Sequence, residues 1–112
     1  MIAIQEIDIY SDNNIKVSAH IIVPNSNTAS AEVIIYDPNC NNLYSSYQTV
    51  GQFTKPDDAY KAIIIASNKY IVKSGGVINR INNPLNTEFV NKNRKQQIIA
   101  ELSINVTIEV NT

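Results

Sequence analysis

Residues 56–76 read PDDAYKAIIIASNKYIVKSGG, and this stretch decides the fold class because its periodicity differs from that of the chain around it. Pro56 suits the first turn of a helix, and the acidic Asp57 and Asp58 favour the positive end of the helix dipole. Inward-facing positions recur every three or four residues, which predicts one buried stripe. The stripe comprises Tyr60, Ile63, Ile64, Ser67, Tyr70 and Ile71. Two glycines close the stretch, so we predict a helix at 56–74.

The segments before this helix alternate with the period of a strand. Apolar residues occupy every second position from Ile15 to Val23, which predicts a strand with one buried face. In the first strand the apolar phase shifts after Ile4, as a β-bulge near Gln5 and Glu6 would produce. Two further strands, at 32–36 and 43–50, are predicted to form a hairpin around the turn-forming residues 37–42.

The C-terminal residues also alternate. Seven apolar residues stand at every second position from Ile98 to Val110, which predicts a one-sided strand of thirteen residues. Natural strands usually run for about 5–6 residues, so a strand of this length is expected to bend or to pair beyond its own sheet. The preceding segment, 86–95, is ambiguous, because Asn86 or Thr87 could cap a short helix with Phe89 and Val90 facing inward.

Together these patterns predict a single α+β domain over residues 1–112. It contains an antiparallel sheet of about five strands, with the main helix on one face and a long C-terminal strand. The opposite face of the sheet is predicted to be polar. Its residues are Lys16, Ser18, His20, Glu101, Ser103, Asn105, Thr107 and Glu109.

The composition fits one small globular domain and excludes several classes of protein. The chain has 112 residues, of which 44% are hydrophobic and 17% charged, so it is too apolar for a disordered chain. A net charge of −1 provides no overall attraction to nucleic acid or to an anionic membrane. The single cysteine excludes an internal disulfide. Neither a signal peptide nor a membrane span is predicted, so a cytoplasmic location is expected.

No residue pattern predicts catalysis, a metal site or a cofactor. His20 is the only histidine, and its possible neighbours Ser18 and Asp37 depend on strand pairings that the sequence does not establish. Cys40 has no nearby base, cation or helix N-terminus to activate its thiol. The residues from Lys73 to Gly76 have the composition of a phosphate loop in the wrong order. An enzyme that uses His20 or Cys40 is therefore the last of three functional hypotheses.

Basic residues concentrate between residues 69 and 95, where six of the nine basic side chains lie with Glu88 as the only acid. Such a segment could attract phosphate groups, and tyrosines on a sheet face could stack on bases or contact a protein. Lys69 and Lys73 also complement the negative end of the helix dipole. The candidate ligand-binding residues are Arg80, Lys92, Arg94, Lys95, Tyr44 and Tyr47.

The leading functional hypothesis is a small non-enzymatic binding or assembly protein that forms a homo-oligomer through the surplus length of the C-terminal strand. An accessory or inhibitor protein encoded by a mobile element would fit this description. The alternative is a nucleotide or nucleic-acid binding protein that uses the basic 69–95 segment. The expected partners are therefore a second copy of the chain, another protein or a phosphate-bearing ligand, with no membrane and no cofactor.

Overall fold

The alternating and helical segments assemble into one sheet and two helices in a computed structural model, which describes residues 3–38, 45–84, 89–102, 104 and 107–108. The elements are β1 (Ala3–Ser11), β2 (Lys16–Asn25), β3 (Thr28–Tyr36), β4 (Ser45–Phe53), α1 (Pro56–Lys73), β5 (Ile78–Asn82), α2 (Lys92–Glu101) and β6 (Thr107–Ile108). The predicted α+β class is confirmed.

The strand order across the sheet is β4-β3-β2-β1-β5-β6. The first five strands pair antiparallel, and the two-residue β6 pairs parallel with β5. The predicted hairpin of the third and fourth strands is confirmed, since Tyr36 pairs with Ser45 and Ala29 with Phe53. Five antiparallel strands and a helical layer therefore form the architecture that the periodicity predicts.

Helix α1 begins and ends where its local signals place it. Lys55 is the N-cap in extended conformation, Pro56 is the first helical residue, and Gly75 follows the helix with φ of +89°. The predicted stripe packs on the sheet over β2, β3 and β4, and its residues Tyr60, Ile63, Ile64, Ser67 and Ile71 are buried.

The predicted bulge in β1 is wrong. The pairing of β1 with β2 runs without a shift from Ala3↔Val23 to Tyr10↔Lys16. Gln5 therefore occupies a core position beside Ile7, while Ile4 points outward with 40% of its surface exposed. The core tolerates Gln5 because both its amide nitrogen and its amide oxygen are hydrogen-bonded to distant parts of the chain. The irregularity in β1 lies at Tyr10 and Ser11, where the register with β5 shifts.

The predicted long C-terminal strand is also wrong, because residues 98–101 belong to α2. Asn91 caps this helix by accepting a hydrogen bond from the Arg94 backbone N–H at 2.9 Å. Ile98 and Ile99, adjacent in sequence, are both buried against the core, which a one-sided strand cannot achieve.

Further along the predicted strand, only Thr107 and Ile108 are strand residues among those that the structure describes. The predicted polar-face residues Ser103, Asn105 and Glu109, like the possible caps Asn86 and Thr87, lie outside the described residues.

Candidate functional site

Alternate side chains of the strands form a sheet face that points away from both helices. Since the residues between them are buried in the core with α1, these side chains must lie on the other side. We call this surface the open face. It includes Glu6, Asp8, Tyr10, Lys16, Ser18, His20, Glu32, Ile34, Tyr36, Tyr47, Thr49, Arg80 and Asn82. Lys16, Ser18 and His20 lie there as predicted, whereas Glu101 lies on α2 and forms ion pairs with Lys61 and Arg94.

One row of the open face alternates cations with aromatic rings. Register pairs run from Arg80 to Tyr10, from Tyr10 to Lys16 and from Lys16 to Tyr36. The guanidinium carbon of Arg80 lies 4.2 Å from the centroid of the Tyr10 ring, and Lys16 Nζ lies 5.7 Å from it. Both distances are within the range of cation–π attraction. We call these four residues the cation–aromatic row.

A cavity of about 270 Å³ adjoins this row, lined by Asn14, Lys16, Tyr36 and Pro38. Its volume is near the lower end for small-molecule sites, which start at about 300 Å³. Asn14 adopts a left-handed conformation with φ of +70°, as expected in the tight turn between β1 and β2. Among the described residues, a ligand here would meet the ammonium group of Lys16, the phenol ring of Tyr36 and the amide of Asn14.

A second row combines carboxylates with the imidazole. Glu6 and Glu32 pair with His20 from the two neighbouring strands, and Glu6 Oε1 lies 3.5 Å from His20 Nε2. Asp8 is next to this row and is only 6% exposed. Burial of its carboxylate, followed by the negative charge of Glu6, raises the pKa of Asp8. This part of the open face is therefore acidic, whereas the cation–aromatic row is basic.

Three buried polar atoms on the open face have no hydrogen-bond partner among the described residues: Asp8 Oδ1, His20 Nδ1 and Asn82 Oδ1. Asp8 and Asn82 are direct register partners on β1 and β5. His20 is diagonal to Asp8, because Asp8 pairs with Ser18 and His20 follows two residues later. The Asp8 carboxyl group as a whole is nevertheless paired, since it forms side-chain hydrogen bonds with Ser18 and Glu6.

The structure does not bring the predicted ligand-binding residues together. Arg80 and Tyr47 lie on the open face, whereas Lys92, Arg94 and Lys95 belong to α2, and Tyr44 lies outside the described residues. Arg94 Nε donates to Asp57 Oδ2 at 2.7 Å, and this hydrogen bond raises the pKa of the guanidinium. Lys95 is only 3% exposed. The predicted basic segment is thus divided between the sheet and a helix that packs beside α1.

The strand pairing decides which carboxylates lie beside His20. Asp37 accepts a hydrogen bond from the Tyr70 hydroxyl of α1 at 2.7 Å, on the helical side of the sheet. The carboxylates beside His20 are instead Glu6 and Glu32. Cys40 lies outside the described residues. Within the described part of the chain, no group of three or more His, Cys, Asp and Glu side chains could hold a metal ion.

Strand β4 forms an edge of the sheet, and its outer side has no partner among the described elements. Its sequence SSYQTVGQF carries no charged residue over nine positions, and Tyr47 is 60% exposed. A register shift against β3 occurs between Thr49 and Gly51, so the regular part of the edge is Ser45–Thr49. Tyr47 and Thr49 alternate along this part and project on the open face, opposite Ile34 and Glu32.

Some members of this site are predicted from the sequence, but Glu6, Asp8, Glu32 and Asn82 are not, and neither is the combination. Lys16 and His20 were predicted on a polar face and Arg80 as a ligand-binding residue, yet their juxtaposition depends on the β1–β5 pairing. The local sequence carries no signal for that pairing, since β5 follows β1 by nearly seventy residues and pairs with it only in the folded chain. The exposed edge of β4 is likewise decided by strand order.

No protein-family model, curated protein or solved structure matches this chain. Neither α1 nor α2, the helices in the described part of the chain, is both long and apolar enough to cross a membrane. The function must therefore be inferred from the chemistry of the open face and from the edge of the sheet.

Proposed function

We propose that this protein is a small non-enzymatic binding and assembly protein that forms a homo-oligomer by pairing β4 strands of two copies. The observation that carries the proposal is the uncharged, exposed β4 at the edge of the sheet. Proteins usually protect such edges with lysine, proline or a covering element, and an unprotected edge favours pairing with another chain.

Antiparallel pairing of two identical edges satisfies a two-fold axis, so each copy would contribute the same residues to the contact. The regular part of the edge, Ser45–Thr49, has the usual length of a strand. The register shift before Gly51 would end the pairing there. This edge replaces the C-terminal strand that the sequence predicted as the assembly element.

The aromatic side chain on this edge also supports a contact between copies. Tyr47 exposes 60% of its surface on the open face. In an antiparallel pair centred on this segment, the two tyrosine rings would lie close across the two-fold axis. Tyrosine is enriched in the buried centres of protein interfaces, because it combines apolar area with a hydroxyl group.

A matched pair of lysine substitutions tests the edge. Thr49→Lys adds a charge at the contact in both copies, while Glu32 on the neighbouring strand compensates that charge within each monomer. Ser30→Lys adds the same charge one strand further in, opposite Gln52. We expect the wild type and Ser30→Lys to be oligomeric at micromolar concentration in light scattering, and Thr49→Lys to be monomeric. A monomeric wild type with no partner in pull-down would contradict the proposal.

A second candidate function, binding of a nucleotide or another phosphate-bearing ligand, is favoured by the cation–aromatic row rather than by the 69–95 segment. Lys16 and Arg80 would attract phosphate, and Tyr36 at the adjoining cavity could stack on a base. Arg80→Glu should weaken such binding, whereas Arg94→Glu, the same reversal on α2 outside the row, should change it little. Binding that does not weaken with added salt would contradict this candidate.

A further inference from the structure

A second cavity, of about 280 Å³, lies between α1 and β4 on the helical side of the sheet. The described residues that line it are Gln48, Ala66, Lys69, Tyr70 and Lys73. Positions 66, 69, 70 and 73 are three and four residues apart, so they form one stripe of α1. Gln48 pairs with Val33, whose side chain is buried in the core, so Gln48 projects on the same side as the helix. The cavity is therefore a groove between a helix stripe and an edge strand.

Two ammonium groups line this groove without a counter-ion among the residues that the structure describes. Lys69 and Lys73 are both exposed, and neither forms an ion pair with a described residue. Lys73 lies in the last turn of α1, where it complements the helix dipole, but Lys69 lies one turn earlier. Like charges four residues apart on a helix repel each other, and a bound anion would offset this repulsion. The two lysines therefore favour an anionic ligand.

The other lining groups suit an oxyanion that is carried on an apolar ring. The Tyr70 hydroxyl donates to Asp37 Oδ2 at 2.7 Å, which fixes the phenol and leaves its ring as a wall of the cavity. Ala66 adds a methyl group to that wall, and the Gln48 amide offers N–H donors. Asp37 carries a negative charge next to this wall, but the two lysines outnumber it. The groove thus combines positive charge, hydrogen-bond donors and an aromatic surface.

We propose that this cavity binds a small organic oxyanion, a phosphate monoester or a carboxylate carried on a ring. Lys69 and Lys73 balance its charge, and the Gln48 amide donates a hydrogen bond to it. The ring of the ligand packs on Tyr70. The site lies on the opposite side of the sheet from the cation–aromatic row and needs no second copy of the chain. The proposal therefore goes beyond assembly through β4, and either proposal can fail without the other.

Titration followed by nuclear magnetic resonance tests the site with four probes. Phenyl phosphate and benzoate should each cause saturable shifts of the Gln48 side-chain amide. Benzyl alcohol, which has the ring but no charge, should cause none, and methyl phosphate, which has the charge but no ring, should bind more weakly than phenyl phosphate. Tighter binding of phenyl phosphate than of benzoate assigns the site to phosphate monoesters, and the reverse order assigns it to carboxylates.

Three results of this titration would overturn the proposal. They are the absence of saturable shifts with both ring-bearing oxyanions, binding of benzyl alcohol as tight as theirs, and binding of methyl phosphate as tight as that of phenyl phosphate.

Matched variants separate the cavity from general electrostatic attraction. Lys69→Gln combined with Lys73→Gln should weaken binding of phenyl phosphate about tenfold. Lys55→Gln combined with Lys92→Gln removes two exposed lysines outside the cavity and should leave binding unchanged. Thr49→Lys, which the assembly proposal expects to be monomeric, should bind as tightly as the wild type. Equal weakening by the two double variants, or loss of binding in Thr49→Lys, would show that the cavity of a single copy is not the site.

Discussion

At the scale of single residues, the side chain that contradicts the simplest pattern is Gln5. Gln5 is a polar residue at a core position of β1, where the alternating pattern would place an apolar one. Its amide joins β1 to residues more than seventy positions later in the chain. Its Nε2 donates to Asn83 Oδ1 at 2.7 Å, and its Oε1 accepts from the backbone N–H groups of Phe89 and Val90 at 2.8 and 3.3 Å. Gln5 therefore anchors the segment that leads into α2.

Replacing Gln5 should lower the stability of the fold. Gln5→Leu keeps the volume but leaves an amide oxygen and two backbone N–H groups without their partner, so the free energy of unfolding should fall by about 2–4 kcal/mol. Denaturant unfolding measures the change. Gln52→Leu, at an exposed position of β4, is the matched control and should change stability by less than about 0.5 kcal/mol. Equal effects of the two substitutions would contradict the anchoring role.

Asp8 predicts a pH dependence of stability with a definite sign. Its pKa in the folded chain is raised by burial and by Glu6, so protonation of Asp8 favours the folded state. This contribution is fully present below the ordinary pKa of 3.8 and is lost as pH rises through the raised value. Asp8→Asn should therefore stabilise the protein at pH 7 relative to the wild type.

The advantage of Asp8→Asn should shrink on acidification and vanish once the wild-type carboxyl is protonated. Thermal unfolding of the wild type and of Asp8→Asn, from neutral pH down to acidic pH, measures this difference in stability. A difference in stability that is independent of pH would show that another effect of the substitution, and not the charge of Asp8, is responsible.

At the scale of elements, α2 shows how a cap and two buried residues prevail over an alternating pattern. Asn91 satisfies the backbone N–H of Arg94, and Ile98 and Ile99 enter the core that α1 shares with the sheet. Arg94 then joins the two helices through Asp57. The helix thus depends on a local cap at its start and on tertiary contacts along its length.

The contribution of the Asn91 cap to stability can be tested by comparing substitutions at Asn91 and Asn93. Asn91→Ala should lower the free energy of unfolding by about 1 kcal/mol, because it removes the acceptor of the Arg94 N–H. Asn93→Ala, in the first turn of the same helix but exposed and not at the cap, should be neutral or slightly stabilising, since alanine favours helices. Calorimetry of both variants measures the difference. If Asn93→Ala proved as costly, the loss could not be assigned to the cap.

At the scale of the whole molecule, the two sides of the sheet differ in what packs against them. Both helices pack on the side that carries the core, so neither of these described helices covers the open face. The open face is divided into a basic cation–aromatic row and an acidic part around His20. Assembly through the edge would extend the sheet and leave this face accessible.

Assembly predicts a stability that depends on protein concentration. Because association stabilises only the folded chain, the thermal midpoint of the wild type should rise with concentration in the micromolar range. The midpoint of Thr49→Lys should be constant over the same range, and that of Ser30→Lys should follow the wild type. Scanning fluorimetry over a hundredfold dilution series measures this. A concentration-independent wild-type midpoint would argue against oligomerisation through β4.

The sequence by itself determined those elements whose signals lie within a few residues of one another. Proline, the acidic first turn, the apolar stripe and the closing glycines place α1, and strict alternation places β2. The same local signals were misleading at Gln5 and at residues 98–101. At each of these positions a distant partner, Asn83 for Gln5 and the shared core for Ile98, decides the conformation.

Only the tertiary structure decided the candidate site. The cation–aromatic row, the burial of Asp8 beside Glu6 and the exposed edge of β4 all follow from the strand order β4-β3-β2-β1-β5-β6. Caps, turns and periodicity act over a few residues and predict elements. Strand order is instead selected by packing and hydrogen bonding between segments that are far apart in the chain, so no short window of sequence contains it.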